Sequence, residues 1–272
     1  MSAWQKGIKY AALALAILLI ASIVGGIFQI LSVLPWLRGG REDAVGEMQD
    51  YVLSEEIRSL EIDLTAAELT LCSGNRFAVS SNLSGLSVTS KAGLLTIEEK
   101  GGWTSGRNRG RVALTIPRDT VFDRVRVNTG AGLVTIEDLE TEELDLDLGA
   151  GKVKISRLCA AENADIDGGV GSLTISSGEL RNLNLDMGVG KLELTSKLTG
   201  WSKLDMGVGT AELTLIDQES YRISVDKGLG EISVAENSME DGAMFGSGDT
   251  PIQINGGVGS VRITFRPEVS PS

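Results

Sequence analysis

The sequence predicts an all-β fold, a β-solenoid of the single-stranded β-helix type with rungs of about 19 residues, preceded by one transmembrane helix. Three observations lead to this prediction. Glycine occupies 34 of 272 positions, well above the roughly 7% of average proteins. A Gly-x-Gly unit recurs at nearly constant spacing, and one long uncharged apolar run lies near the N-terminus.

The apolar run predicts a membrane anchor over residues 11–37, after a short flank at residues 1–10. Residues 11–34 read AALALAILLIASIVGGIFQILSVL, and a helix of this length spans about 36 Å, enough to cross a hydrocarbon core of about 30 Å. Trp4, Tyr10 and Trp36 suit the two interfaces. A secretory signal peptide is the alternative, but its apolar region would be shorter and would end in a small-x-small cleavage site.

Charge predicts that the rest of the chain lies outside the cytoplasm. Two lysines before the span balance two arginines after it, but the amino terminus adds positive charge to the first flank and acids follow the second. We expect a juxtamembrane linker at residues 38–56, a β-repeat domain at residues 57–267 and a tail at residues 268–272. The localisation expected is the cell membrane, with a single pass and an extracytoplasmic β domain.

The glycine repeat predicts a corner in every rung. The steps between successive units are 19, 20, 19, 19, 21 and 29 residues. The structural corners predicted in this way are Gly130 and Gly132, Gly149 and Gly151, Gly169 and Gly171, Gly188 and Gly190, Gly207 and Gly209, Gly228 and Gly230, and Gly257 and Gly259.

Apolar alternation around the corner predicts two short strands and a looser second turn in each rung. In LNLDMGVGKLEL (183–194) the apolar residues are odd-numbered before the glycines and even-numbered after them, which is the parity change of a corner. Val189, between the glycines, is expected to plug the core. A propeller blade would need roughly 40 residues, and a sandwich needs no constant step.

An Asx residue stands two positions before nearly every corner. Two hypotheses fit this ladder: each side chain caps its own corner by accepting a backbone N–H bond, or the row binds divalent cations. Calcium-binding β-helix repeats read GGxGxD, whereas Ser172 follows GGVG here. The ladder comprises Asp63, Asn128, Asp147, Asp167, Asp186, Asp205, Asp226 and Asn255.

Two segments depart from the repeat. The first, GGWTSGRNRGR (101–111), is a candidate ligand or partner loop, because an aromatic beside several arginines suits an anionic group; a solvated hairpin tip is the alternative. Its candidate residues are Trp103, Arg107, Arg109 and Arg111. The second is residues 235–250, a surface loop that contains Met244 and Phe245. Two alternatives are open for this pair: contact with a partner, or folding back over the last rung. Pro267 and Pro271 are expected to block one end of the solenoid.

The residue types present argue against catalysis, cofactors and nucleic acid. The chain has no histidine, which removes histidine-based triads and metal ligands. The repeated GxG lacks the third glycine of a nucleotide fingerprint and leads into a strand. Residues 42–272 carry a net charge of −16, unfavourable for nucleic acid or an anionic membrane surface. No enzyme activity, cofactor or metal site is expected.

The chain from Leu60 to Phe265 resembles the bacterial putative-adhesin family of β-strand-repeat domains. The resemblance rests on LEIDLTAAELTL (60–71), on VALTIPRDTVFDRVRVNTGAGLVTIEDL (112–139) and on INGGVGSVRITF (254–265). With its N-terminal anchor the chain is similar to the membrane-anchored LiaG-like type. The resemblance implies a β-solenoid, an envelope location and no known catalytic residues; the function of the family is not established.

These observations favour a membrane-anchored, non-catalytic, adhesin-like binding scaffold at the bacterial cell envelope. The expected partner is an envelope protein or a cell-wall polymer, and the oligomeric state stays open. A regulator or sensor accessory of an envelope-stress system is one alternative. A polysaccharide-active β-helix enzyme is another, and it would need a groove with paired carboxylates.

Overall fold

A computed structural model describes residues 47–53, 56–83, 85–100 and 110–268. The predicted anchor, most of the predicted linker, and Trp103, Arg107 and Arg109 lie outside the described residues. No helix within the described ranges has the length and apolar character needed to span a bilayer.

Strands dominate the described part of the chain, accompanied by a short 3-10 helix at Gln218–Ser220. The strands are β1 (Gln49–Val52), β2 (Ser59–Gly74), β3 (Ala78–Ser81), β4 (Leu86–Lys91), β5 (Leu94–Glu99), β6 (Gly110–Pro117), β7 (Val121–Ile175), β8 (Gly178–Arg181), β9 (Leu183–Thr199), β10 (Ser202–Ile216), β11 (Tyr221–Asp226), β12 (Glu231–Val234), β13 (Asn237–Ser238), β14 (Met244–Phe245) and β15 (Thr250–Arg266).

Successive rungs pair in parallel, as in a β-solenoid, and confirm the all-β prediction. Leu185 of β9 pairs with Leu204 of β10, and Met187 pairs with Met206, so each residue lies beside the one 19 positions later. The strands do not break at six of the seven glycine corners, and β7 alone runs for 55 residues through three of them; at Gly228 and Gly230 the chain leaves β11 before it enters β12. At the other six corners the chain therefore stays hydrogen-bonded to its neighbours while it turns.

The rungs built from β7, β8 and β9 have a third side, where the sequence predicts two strands and a loose turn. Leu158 and Ala160 are buried after the second strand, and they pair in parallel with Gly178 and Leu180 of β8. The predicted loose turn is therefore partly a third strand. Its inward residues change parity again after Ile155, at a position that carries no glycine signal.

The core confirms the predicted inward residues but corrects the role of Val189. Leu185 and Met187 before the corner and Leu192 and Leu194 after it are buried. Val189 is half-buried, and its equivalents Val170 and Val258 are 37% and 38% exposed. The middle corner residue points away from the core because it occupies the convex side of the bend.

Glycine is required at the corner by close approach of the chain to itself. Gly190 has φ 145°, and a Cβ built there would overlap the carbonyl oxygen of Gly171 in the preceding rung. Gly209 meets Gly190 in the same way. A side chain at these positions would push two rungs apart and break the parallel ladder.

The order of rungs in space differs from their order in the sequence at both ends. β2 lies between β7 on one side and a rung made of β5 and β6 on the other. β15 is inserted between β10 and a rung made of β11 and β12. Pro267 therefore follows a strand that has neighbours on both sides, and the expectation that it blocks the end of the solenoid is wrong.

Short antiparallel strands cover the two ends instead. β14 pairs with β11 and β13 pairs with β12, while β4 pairs with β5 and β1 with β3. Phe245 stacks on Phe265 with ring centroids 5.6 Å apart, so the segment at residues 235–250 folds back over the last rungs. β1 lies within residues 38–56, predicted as a linker. Such caps limit edge-to-edge growth.

We expect Gly190→Ala to lower the free energy of unfolding by about 2–4 kcal/mol, because the new methyl group must displace the carbonyl of Gly171. Gly242→Ala is the matched control: φ is +74° there, but nothing lies within 4 Å of the added Cβ, so the expected loss is about 1 kcal/mol. Urea unfolding of the solubilised full chain measures both. Equal losses would contradict the close-approach argument.

Two buried serines provide a second test. Among the described residues, Ser202 Oγ is buried without a hydrogen-bond partner, whereas Ser196 Oγ lies 3.0 Å from the Gly178 carbonyl oxygen and donates to it. We expect Ser202→Ala to stabilise the protein by about 1 kcal/mol and Ser196→Ala to destabilise it by a similar amount. Destabilisation by Ser202→Ala in the same unfolding assay would show that its hydroxyl is satisfied.

Candidate functional site

The strands that precede the glycine corners form a parallel sheet with an acidic outer surface. Their inward residues fill the core, so the residues between them project outward at alternate positions. We define the acidic face as Asp145, Asp147, Asp165, Asp167, Asp186 and Asp205, on four successive rungs.

Parallel register places equivalent aspartates directly beside one another. Asp167 pairs with Asp186, and Asp186 pairs with Asp205. Neighbouring strands lie about 4.8 Å apart, so the carboxylates form a row with that repeat. Aspartates that recur about every 19 residues in the sequence therefore form a continuous row of negative charges in the structure.

Cations neutralise this row at its flanks. Arg126 Nε lies 2.8 Å from Asp145 Oδ2, and Arg124 pairs with Glu143 in the same rung-to-rung manner. At the other flank Lys203 and Asn255 both donate to Asp205. These contacts hold the flanking carboxylates in fixed positions.

The centre of the row lacks this neutralisation. Asn184 Nδ2 donates to Asp165 Oδ1 at 3.0 Å, which is a neutral partner. Partial desolvation of Asp167, together with the charges of Asp147 and Asp186, raises the pKa of its carboxyl group. The acidic face therefore holds repulsive free energy at neutral pH that a cationic or hydrogen-bonding partner would relieve.

The capping hypothesis for the Asx ladder is wrong in the described part of the chain. Val189 and Gly190 pair with Val208 and Gly209 in the parallel ladder, and among the described residues no Asx side chain of the ladder accepts a hydrogen bond from a corner N–H. At the first corner, where the adjacent rung is interrupted after Glu99, the N–H groups of Thr65 and Ala66 donate to Glu99 rather than to Asp63. The cation hypothesis gains no support either, since no group of three potential metal ligands is assembled by the described residues.

Arg111, predicted as part of a ligand loop, belongs to strand β6. Its Nε lies 3.2 Å from Glu68 Oε2, and its backbone N–H donates to Asn82 Oδ1 at 2.7 Å. The strands after the corners also carry Lys152 and Lys154 with exposed side chains. Basic residues are therefore more frequent on this side of the solenoid than on the acidic face.

Trp201 is the site residue that sequence reasoning did not place. It is 49% exposed and directly precedes β10, and continuing the alternation of β10 by one residue places it on the side of the sheet that carries Lys203. Further along β10 and the adjacent β15, Gln253 donates to Asn255, Asn255 donates to Asp205, and Lys203 donates to Asp205. We call these four residues the polar network. The sequence could have placed Trp201 on this face, because it is odd-numbered like Lys203 and Asp205 and alternate residues of a strand share a face.

The described chain offers little enclosed volume for a small molecule. Two cavities behind the corner glycines measure about 20 and 10 Å³, enough for a single water at most. Cys72 and Cys159 are free and half-buried. Recognition on this protein would therefore involve its open faces.

The raised pKa of Asp167 predicts that Asp167→Asn increases the free energy of unfolding at pH 7. A carboxyl group with a higher pKa in the folded state binds more protons there, so its ionisation destabilises the fold as pH rises. The gain should vanish below about pH 3.9, the pKa of an unperturbed Asp, where the carboxyl is protonated in both states. Unfolding measured from pH 3 to pH 8 tests this.

Asp145→Asn is the matched control on the same face. It removes an ion pair with Arg126 whose side chains are 52% and 44% exposed, so we expect a loss of a few tenths of a kcal/mol at pH 7. A stabilising Asp145→Asn, or an Asp167→Asn gain that persists at pH 3, would contradict the electrostatic explanation.

Solved structures similar to this chain share little sequence identity with it. No curated protein matches the chain. A putative adhesin from Bacteroides fragilis is 13% identical, with a TM-score of 0.43, 83% of this chain covered and 100% of that chain. A putative cell adhesion protein from Clostridium sporogenes is 13% identical, with a TM-score of 0.37 and coverage of 81% and 99%. A putative adhesin from Parabacteroides distasonis is 14% identical, with a TM-score of 0.35 and coverage of 80% and 97%.

The model of one family matches residues 57–259, which include all seven predicted corners. That range lies within residues 57–267, predicted as the β-repeat domain, and the match confirms the predicted type of family. The chain belongs to the Toastrack DUF4097 family.

Proposed function

We propose that this protein is a membrane-anchored, non-catalytic binding scaffold of the bacterial cell envelope, adhesin-like in action, that recognises an envelope component on its open sheet faces. One observation carries the proposal: the acidic face extends without interruption over four rungs, and its central carboxylates have no cationic partner among the described residues. An exposed array of this kind is suited to contact with an extended partner.

The position of these aspartates on one outer face of a single sheet supports binding rather than catalysis. Sugar-cleaving enzymes place two carboxyl groups on either side of the scissile bond, one to protonate the leaving group and one to attack or activate water. Here the aspartates project in one direction from one sheet. Such a row can contact a polymer along its length but does not flank a bond.

Anchoring in the membrane is the second part of the proposal. The uncharged apolar run at residues 11–34 is long enough to cross a bilayer, and the charge pattern favours an external β domain. The strand β1 begins at Gln49, so the β domain would start about a dozen residues after the anchor. A linker of this length would keep the β domain close to the external surface of the membrane that holds the anchor.

A membrane-impermeant amine reagent applied to intact cells tests the orientation. Lys152 and Lys154 are exposed on the β domain, whereas Lys6 and Lys9 precede the apolar run. We expect peptide mapping of the full-length protein to find label at the first pair in intact cells, and at the second pair only after lysis. Label at Lys6 and Lys9 in intact cells, with none on the β domain, would reverse the orientation.

Crosslinking in the same cells tests the binding role. We expect a tagged full-length protein, crosslinked at the outer face, to retain a wall polymer or one membrane protein after denaturing washes. Wall polymer would support the adhesive scaffold, and a single membrane protein would support the envelope-stress regulator. Recovery of the protein alone, despite external labelling, would contradict a binding function.

A further inference from the structure

We propose that Trp201 and the polar network (Lys203, Asp205, Gln253 and Asn255) form a binding platform for a neutral or amino-sugar polysaccharide. This inference rests on the proposed binding function and names the class of ligand for one of its faces. It follows from the position of an exposed indole ring beside hydrogen-bonding side chains that are already held in place.

The backbone of Trp201 is fixed by a dedicated turn. Its N–H donates to Asn182 Oδ1 at 3.1 Å, and Asn182 Nδ2 in turn donates to the Glu162 carbonyl oxygen at 2.8 Å. Gly200 has φ 68°, and a Cβ there would overlap Asn182 Oδ1. Three successive rungs thus cooperate to hold one aromatic residue at the surface.

The neighbours of Trp201 leave its ring accessible. Register places Asn182 beside it in the preceding rung and Pro251 beside it in the following rung, since Lys203 pairs with Asn184 and Ser202 pairs with Ile252. Both neighbours are shorter than an indole. With 49% of the residue exposed, one apolar surface remains available for stacking.

The polar network supplies ordered hydrogen-bonding groups along the sheet from Trp201, with Lys203 and Gln253 the nearest of them by register. Gln253 Nε2 donates to Asn255 Oδ1 at 3.1 Å, and both Asn255 and Lys203 donate to Asp205. Because these bonds hold the side chains in place, less conformational entropy is lost when a ligand binds. The free Gln253 Oε1, the remaining lysine protons and Asn184 on the adjacent strand match sugar hydroxyls, which both donate and accept.

Charge selects among polysaccharides. The central carboxylates of the acidic face lie on the rungs directly preceding Trp201, and they would repel uronate or phosphate polymers. Neutral sugars avoid this repulsion, and protonated amino sugars gain attraction to Asp167 and Asp186. The platform therefore favours N-acetylated or free amino sugars over anionic glycans.

A protein partner is the competing explanation for an exposed tryptophan. Interface hot spots place tryptophan in an apolar, charge-depleted centre. Trp201 instead adjoins Lys203 and Asn182 on a face of charged and amide side chains. An apolar ring bordered by polar groups is the arrangement that a sugar ring requires, with its C–H surface on the indole and its hydroxyls at the rim.

Calorimetric titration of the detergent-solubilised full-length protein tests the proposal. The probes are the β-1,4-linked hexamers of N-acetylglucosamine and of glucosamine, with polygalacturonate as the anionic comparison. We expect saturable binding of at least one hexamer, none of polygalacturonate, and glucosamine binding that weakens with added salt. Trp201→Ala should weaken binding about tenfold or more, and Trp201→Phe should retain most of it.

Leu229→Ala is the matched control, because Leu229 is 58% exposed on a rung beyond the polar network and its backbone N–H bond to Gly257 is unaffected. Binding unchanged in Leu229→Ala and lost in Trp201→Ala supports the platform. Failure of both hexamers to bind, or equal binding by wild type and Trp201→Ala, overturns it.

The outer-face crosslinking distinguishes failure of this inference from failure of the proposed function. If the wild type and Trp201→Ala retain the same envelope component in intact cells, the scaffold function stands and the platform at Trp201 is wrong. If neither retains anything, the binding function itself falls. Loss of a membrane protein, but not of glycan, in Trp201→Ala would assign Trp201 to a protein interface and overturn the polysaccharide proposal.

Discussion

The contact between backbones at the glycine corner is the constraint on which the rest of the structure depends. At each corner the carbonyl of one rung occupies the space that a Cβ of the next would need, as Gly171 does for Gly190 and Gly190 for Gly209. Because only glycine tolerates this approach, the corners stack directly on one another. The parallel register between rungs then follows, and with it the continuous burial of Leu185 and Leu204 in the core.

In-register stacking has an electrostatic consequence. A residue type repeated at one position of the rung becomes a row with a spacing of about 4.8 Å, so like charges meet. On this solenoid, rung-to-rung pairs such as Arg126 with Asp145 offset part of that repulsion, and they are themselves half-exposed. Among the described residues the centre of the acidic face is left without such pairs, and partial desolvation together with the charges of Asp147 and Asp186 raises the pKa of Asp167. The parallel register set at the corners holds these carboxylates side by side.

Features that follow from the local repeat of glycine and apolar residues were predicted from the sequence. Features that depend on pairing between distant strands were missed. Rung length, corner positions and the inward side chains around Gly188 and Gly190 all follow from alternation and the spacing of glycines. The third side of the rung was missed because the parity change after Ile155 occurs without glycine. The Asx side chains were predicted to cap their own corners because the corner backbone has no partner within a single rung. In the structure, corner residues such as Gly190 pair with the neighbouring rung instead. Trp201 had a readable parity, but the neighbouring strand β15, which carries Gln253 and Asn255, lies about 50 residues later in the chain.

The ends of the solenoid explain why recognition belongs to its sides. Period alone implies that rungs stack in chain order and leave an open edge at each end. Instead, β15 and β2 are each inserted between two other rungs, and the outermost rungs are covered by the short antiparallel strands β13, β14, β3 and β4, with β1 paired to β3. Growth by addition of another chain would have to displace these caps. Among the described residues no strand covers the lateral faces in this way, and the face that carries Trp201 and the acidic row offers both apolar and polar contacts to a partner that runs along it.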